Sequence, residues 1–196
     1  MSAAAPQRLG YRLTVPAAWD RVDLTSPHRD RVVRDLVARQ FAGLDDQPVA
    51  RRRATALLLE QVSRAHDLGG LEAHLSVRPV GGVVVPASLL VHALPGRPGP
   101  RELHERLSGS GDVTVSRLPA GDAVRRRRTT GAGQGADDAA RCCLLEHFVP
   151  VPAAPGLSPA VLVLAGTTVP GPLEEPLVEL FDVIARSLRW TGEAAA

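Results

Sequence analysis

The sequence predicts an α/β sandwich: a mainly antiparallel sheet of about six strands, with an N-terminal helical hairpin and a C-terminal helix packed on it. Three observations carry this expectation. The run from Ala160 to Ala165 is apolar on both faces, as expected of a central strand covered on each side. Leu177, Leu180, Phe181, Ile184 and Leu188 follow at i, i+3, i+4, i+7 and i+11, which places five large apolar groups on one helical stripe. The segments between the hairpin and this strand read as strands joined by short turns, and such neighbours pair antiparallel.

Taken in order, Met1–Gly10 reads as a disordered N-terminus and Tyr11–Val15 as a strand closed by the turn Pro16–Asp20. Trp19 is expected to plug the core at the sheet edge. Ser26-Pro27 is a helix start, with Ser as cap and Pro at the first helical position. Val32, Val33, Leu36, Val37 and Phe41 give that helix its stripe, and Gly43 closes it. A second helix starts near Asp46–Pro48, carries Ala54, Leu57, Leu58, Gln61, Val62, Ala65 and Leu68, and stops at Gly69-Gly70. Leu71, Ala73, Leu75 and Val77 alternate with Glu72, His74, Ser76 and Arg78, which predicts a strand with one wet face. Val80–Gly82 reads as a turn. Val83–Leu94 is long and apolar, and Pro86 within it points to an edge or a bulge. A short helix over Arg101–Leu107 leads to a hairpin of Asp112–Leu118 and Ala123–Thr130. A flexible loop at Gly131–Asp138 and a strand at Arg141–Val149 come next. The closing helix should start near Leu173–Pro176, because proline is tolerated only in the first turn, and should run to Trp190. One domain over residues 11–190 and a frayed tail over 191–196 complete the reading.

Composition narrows the chemistry. All 23 basic residues are Arg, Lys and Asn are absent, and Ile184 is the sole isoleucine. This bias fits a high-GC genome such as an actinobacterium. Without lysine there is no phosphate-loop lysine and no Schiff base. A net charge of +2 and 3% aromatic residues argue against a nucleic-acid surface built on charge and base stacking. No apolar run reaches the length of a membrane span, and the N-terminus shows no secretory leader. Two adjacent cysteines suit a reducing compartment, so cytoplasmic is the expectation.

Two arginine runs are the candidate binding residues. Arg51, Arg52 and Arg53 cover most of a turn near the start of the second helix. They read either as a solvated face or as a contact for an acidic partner. Arg125, Arg126, Arg127 and Arg128 lie in a strand, where side chains alternate faces. An edge strand guarded by charge is one reading, and an anionic partner is the other. Cys142 and Cys143 fall on opposite strand faces, without the spacing of a zinc or dithiol site. The six histidines are scattered. His74 and His147 are expected on wet faces, where they could meet across the sheet. Catalytic, cofactor-binding and metal-binding residues are not indicated by any motif.

The opening Tyr11-Arg-Leu-Thr-Val-Pro-Ala-Ala-Trp19 resembles the "strand, Pro, x, x, Trp" start of PsbP-like and Mog-type proteins. Phe181–Trp190 resembles the last helix of actinobacterial members of that group. The whole chain, with its Arg-rich second helix and Val85-Pro-Ala-Ser-Leu89 strand, resembles uncharacterised actinobacterial proteins, some associated with type VII secretion loci. The resemblance implies an α/β/α sandwich and transfers no catalytic residue. The functional expectation is a non-enzymatic interaction or accessory protein with a protein partner, compatible with a homodimer. The first alternative is a small-molecule binder or small enzyme with its pocket between helical hairpin and sheet. The second is a weak nucleic-acid binder through the arginines.

Overall fold

The computed structural model describes residues 9–44, 46–77, 85–131, 141–154 and 156–192. In it the chain opens with β1 (Gly10–Arg12), β2 (Asp20–Asp23), α1 (Arg29–Gln40), α2 (Pro48–Asp67) and β3 (Gly70–Ser76). It continues through β4 (Ala87–Pro95), α3 (Pro100–Leu107), β5 (Asp112–Leu118), β6 (Gly121–Thr130) and β7 (Cys142–Pro150). It closes with β8 (Ala160–Thr168), α4 (Glu174–Arg186) and β9 (Arg189–Thr191). The expected turn at Val80–Gly82, most of the loop after Gly131, Met1–Arg8 and Glu193–Ala196 lie outside the described residues.

Seven strands form one antiparallel sheet in the order β2-β3-β4-β8-β7-β6-β5, and β1 pairs with β9 in a separate ribbon. The doubly apolar strand β8 is the middle of the seven, as its sequence requires. Its Leu162 and Leu164 belong to the core beneath α4, and its Val161 and Val163 pack with Leu103 of α3 on the other face. Each such buried aliphatic group contributes about 1.5–3 kcal/mol. The hairpin α1–α2 covers the β2–β3 end of the α3 face through Val33, Leu36, Val37 and Val62. Only Val62 of the α2 stripe is fully buried, and Leu57 and Leu68 are exposed, so the stripe is covered along part of its length only.

Helix α4 lies unusually close to β8. A methyl at Gly166 would come within 2.6 Å of three atoms of the Phe181 ring, so the contact needs a residue with no Cβ. Trp19 meets the same ring edge-on, with centroids 6.1 Å apart. The helix stops at Arg186, four residues before Trp190. Ser187 ends it: its hydroxyl donates to the Ile184 carbonyl at 2.6 Å and accepts from the Thr14 N–H at 2.8 Å. Arg189–Thr191 then pair with β1 instead of continuing the helix, and Trp190 faces Tyr11 in that ribbon. Leu188 stays fully buried all the same.

Two strand expectations need correction. Pro86 marks neither an edge nor a bulge: it stands just before β4, whose neighbours are β3 and β8. The polar face of β3 is not wet. A register shift between Gly70 and Glu72 puts Leu71 beside Glu72, His74 and Ser76 on the α4 side. These three are 5%, 7% and 7% exposed. Ala73 and Leu75 turn toward the hairpin. The bulge moves Leu71 to the polar side, and the polar set is covered because the β1–β9 ribbon lies over that face, which alternation alone does not reveal.

Candidate functional site

The strand β6 carries Arg125–Arg128 and lies inside the sheet between β5 and β7, so the edge-strand expectation is corrected. The β5–β6 turn places β5 outermost. Alternation sends Arg125 and Arg127 to the α4 face and Arg126 and Arg128 to the other, and every one meets a carboxylate. Arg125 donates through Nε and Nη2 to both oxygens of Asp182, at 2.9 and 3.2 Å. Arg127 reaches Glu174 and Glu175 at 2.6 and 2.5 Å. Arg126 and Arg128 share Glu146 at 2.7 and 3.3 Å, and the Arg126 guanidinium also stands 5.3 Å from the Phe148 ring centre. Glu174, Glu175 and Asp182 of α4, with Glu146 of β7, are therefore counter-ions for β6.

His147 joins this network. It is 2% exposed, and its Nε2 lies 2.9 Å from Asp182 Oδ1. An ionised carboxylate only accepts, so Nε2–H donates. Burial pushes the Asp182 carboxyl up, but the His147 and Arg125 contacts outweigh it and hold the group down at about 2. Among the described residues no hydroxyl or thiol hydrogen-bonds His147, so the pair is a buried hydrogen-bonded contact without an attached nucleophile. Cys143 is buried beneath Arg127, and burial pushes its thiol up. Cys142 is half-buried and sits 2.8 Å from Thr130 Oγ1.

A second buried cluster forms under the β1–β9 ribbon. The Tyr11 hydroxyl donates to Glu72 Oε1 at 3.0 Å, and Arg21 Nε donates to Glu72 Oε2 at 2.5 Å. His74 Nε2 lies 3.4 Å from Glu72 Oε1, an ion-pair distance without hydrogen-bond geometry. Burial raises the Glu72 carboxyl, and the His74 and Arg21 contacts override it, to about 2. Burial and the neighbouring carboxylate push the Tyr11 hydroxyl up. His74 and His147 are thus both covered, contrary to the wet-face reading, and each has its own acid.

Arg51, Arg52 and Arg53 are all exposed. Among the described residues their side chains make no ion pair or hydrogen bond. Pro48 opens α2, and no acid stands in its first turn, so the three cations near the positive end of the helix dipole have no counter-charge inside the helix start. Asp46 lies just before the Gln47 cap. Arg51 and Arg52 line a groove of about 590 Å³ with Phe41, Leu44, Pro48 and Leu59. The two arginine runs sit over opposite halves of the sheet: the hairpin packs on β2 and β3, and three strands separate β3 from β6.

The cleft between hairpin and sheet, expected to hold any small-molecule pocket, is small and mainly apolar at about 240 Å³. A cavity of about 860 Å³ opens instead between the β1–β9 ribbon and the sheet. No described helix is long and apolar enough to cross a membrane.

No protein-family model matches this chain, and no characterised protein matches it by sequence. By structure it is similar to LpqN, a protein involved in cell envelope biogenesis of Mycobacterium tuberculosis. The TM-score is 0.54 at 14% identity, over 95% of this chain and 86% of that one. At that identity the likeness concerns the fold, which is a mixed α/β fold built on an antiparallel sheet.

Proposed function

We propose that the chain acts by binding, as an interaction or accessory protein, and that its partner presents an acidic segment to the α1–α2 groove beside Arg51, Arg52 and Arg53. One observation carries this reading. Arg125–Arg128 are neutralised within the molecule, whereas Arg51–Arg53 keep three guanidinium groups in solvent beside an apolar groove. Such a surface selects a segment that is both acidic and apolar, and its charges speed encounter and fix register. Service to type VII secretion in an actinobacterium is the narrower form of the proposal. The sequence resemblance supports it, and the envelope role of the structurally similar LpqN agrees with it. The two unbridged thiols support a cytoplasmic place of action.

The test is paired affinity capture from the native host, with wild-type bait and an Arg51→Glu/Arg52→Glu/Arg53→Glu bait. A protein with an acidic, apolar segment should be recovered by the first and lost with the second. An unchanged set of captured proteins would overturn the reading. Secretion components among the lost proteins would support the narrower form.

A further inference from the structure

We infer that the cavity under the β1–β9 ribbon is a binding site for a small organic monoanion with an apolar body, separate from the hairpin groove. Its floor is Ala93 of β4 with Ala160 and Leu162 of β8, and its roof is the ribbon, through Tyr11 and Trp190. The volume, about 860 Å³, lies within the range of small-molecule pockets.

The charges in the wall define the ligand. Arg12, Arg21 and Glu72 are the arginine and carboxylate side chains of the lining among the described residues, with His74 beside them. Glu72 is met by Arg21 at 2.5 Å, while the Arg12 side chain makes no ion pair among the described residues. Arginines outnumber carboxylates by one in this lining, and one anionic group completes the balance. The Arg21 side chain is 60% exposed, so part of its fork of donors stays available to a carboxylate at the mouth.

A buried polar atom marks the same place as unfinished. The His74 side chain is 9% exposed and lines the cavity, and its Nε2 has no hydrogen-bond partner. Buried polar groups are normally satisfied, and a ligand oxygen in the cavity would supply the missing partner once the neighbouring side chains shift. The remaining wall, with Leu71, Val151, Leu157 and Trp190, suits a hydrocarbon body.

The full-length protein titrated with octanoate, octan-1-ol and acetate tests this, read by calorimetry and by tryptophan fluorescence, to which Trp19 and the cavity-lining Trp190 both contribute. Octanoate should bind saturably and change the tryptophan emission. Octan-1-ol, which lacks the charge, and acetate, which lacks the body, should each bind at least about tenfold more weakly. In Arg12→Gln, a change at an exposed residue, octanoate should lose most of its advantage over octan-1-ol. No saturable octanoate binding, equal binding of the acid and the alcohol, or an undiminished preference in Arg12→Gln would each overturn the site. The hairpin reading is untouched by any of these results, because Arg51–Arg53 do not line this cavity.

Discussion

The two arginine runs look alike in sequence and differ in every physical respect once folded. Arg125–Arg128 occupy an interior strand, split between two faces, and meet Asp182, Glu174, Glu175 and Glu146. Their exposures range from 13% to 36%. Arg51–Arg53 stand on an outer helix in water and make no ion pair among the described residues. Strand β6 needs long cationic side chains because both its faces are partly covered, and an arginine stem packs while its head finds an acid. Helix α2 has no such structural need at its start. A charge run therefore signals function only after its counter-ions have been counted, and here the shorter run passes that count.

The strongest way to break the contrast is to remove a counter-ion from β6. Glu146→Ala leaves Arg126 and Arg128 facing each other on a covered surface, with Glu146 itself only 7% exposed in the parent. Stripping one partner from a buried pair costs about 3–5 kcal/mol. Urea denaturation should show a loss near the lower end of that range, since Arg128 can reach solvent. A loss below about 1 kcal/mol would mean that the β6 arginines are solvated like those of α2.

Acid should reach the same network more gently. The Asp182 carboxyl is held at about 2 against an ordinary value of 3.8. A group depressed on folding contributes stability that is complete above its ordinary value and is lost as pH falls through the folded one. For Asp182 the contribution is about 2 kcal/mol, lost between roughly pH 4 and pH 2. Glu72, also held at about 2, adds to the loss in that window. In Asp182→Asn the pH slope of stability between those limits should be shallower than in the parent. Parallel slopes would place the acid sensitivity elsewhere.

Much of the fold was legible because burial writes itself as periodicity. The doubly apolar β8, the α4 stripe and the β5–β6 hairpin all stand where the pattern puts them. Two of the failures share one cause, since each depends on a partner distant in the chain. Trp190 leaves the helix because β1 offers a ladder to Arg189–Thr191. Glu72 and His74 go under cover because the β1–β9 ribbon lies over their face, where Tyr11 and Arg21 supply the bonds of Glu72. The β6 reading fails locally, because β5 and β7, its neighbours in the chain, flank it. The sequence clue to the Glu72 cluster was Glu72-x-His74 on the same strand face; Tyr11, far upstream, gives no local signal. For the arginine runs, the sequence contains Glu174, Glu175 and Asp182 but does not show that they face β6.

The smallest expected effect sharpens the contrast most. Reversing Arg51, Arg52 and Arg53 to Glu exchanges three solvated cations for three solvated anions. No buried contact is lost. The start of a helix favours negative charge, by about 0.3–1 kcal/mol per well-placed group and less beyond the first turn. Arg51 is the first of the three, and its N–H already bonds the Gln47 carbonyl at 3.0 Å, so only a weak dipole effect remains. The variant should unfold within about 0.5 kcal/mol of the parent, on the stable side if anything. A loss of more than about 1 kcal/mol would show that these arginines support the hairpin, and a failed capture by that bait would then report on folding. With stability unchanged, a partner lost on charge reversal must have docked against this surface. The same substitution that leaves the fold intact thus separates a surface kept for binding from one kept for structure.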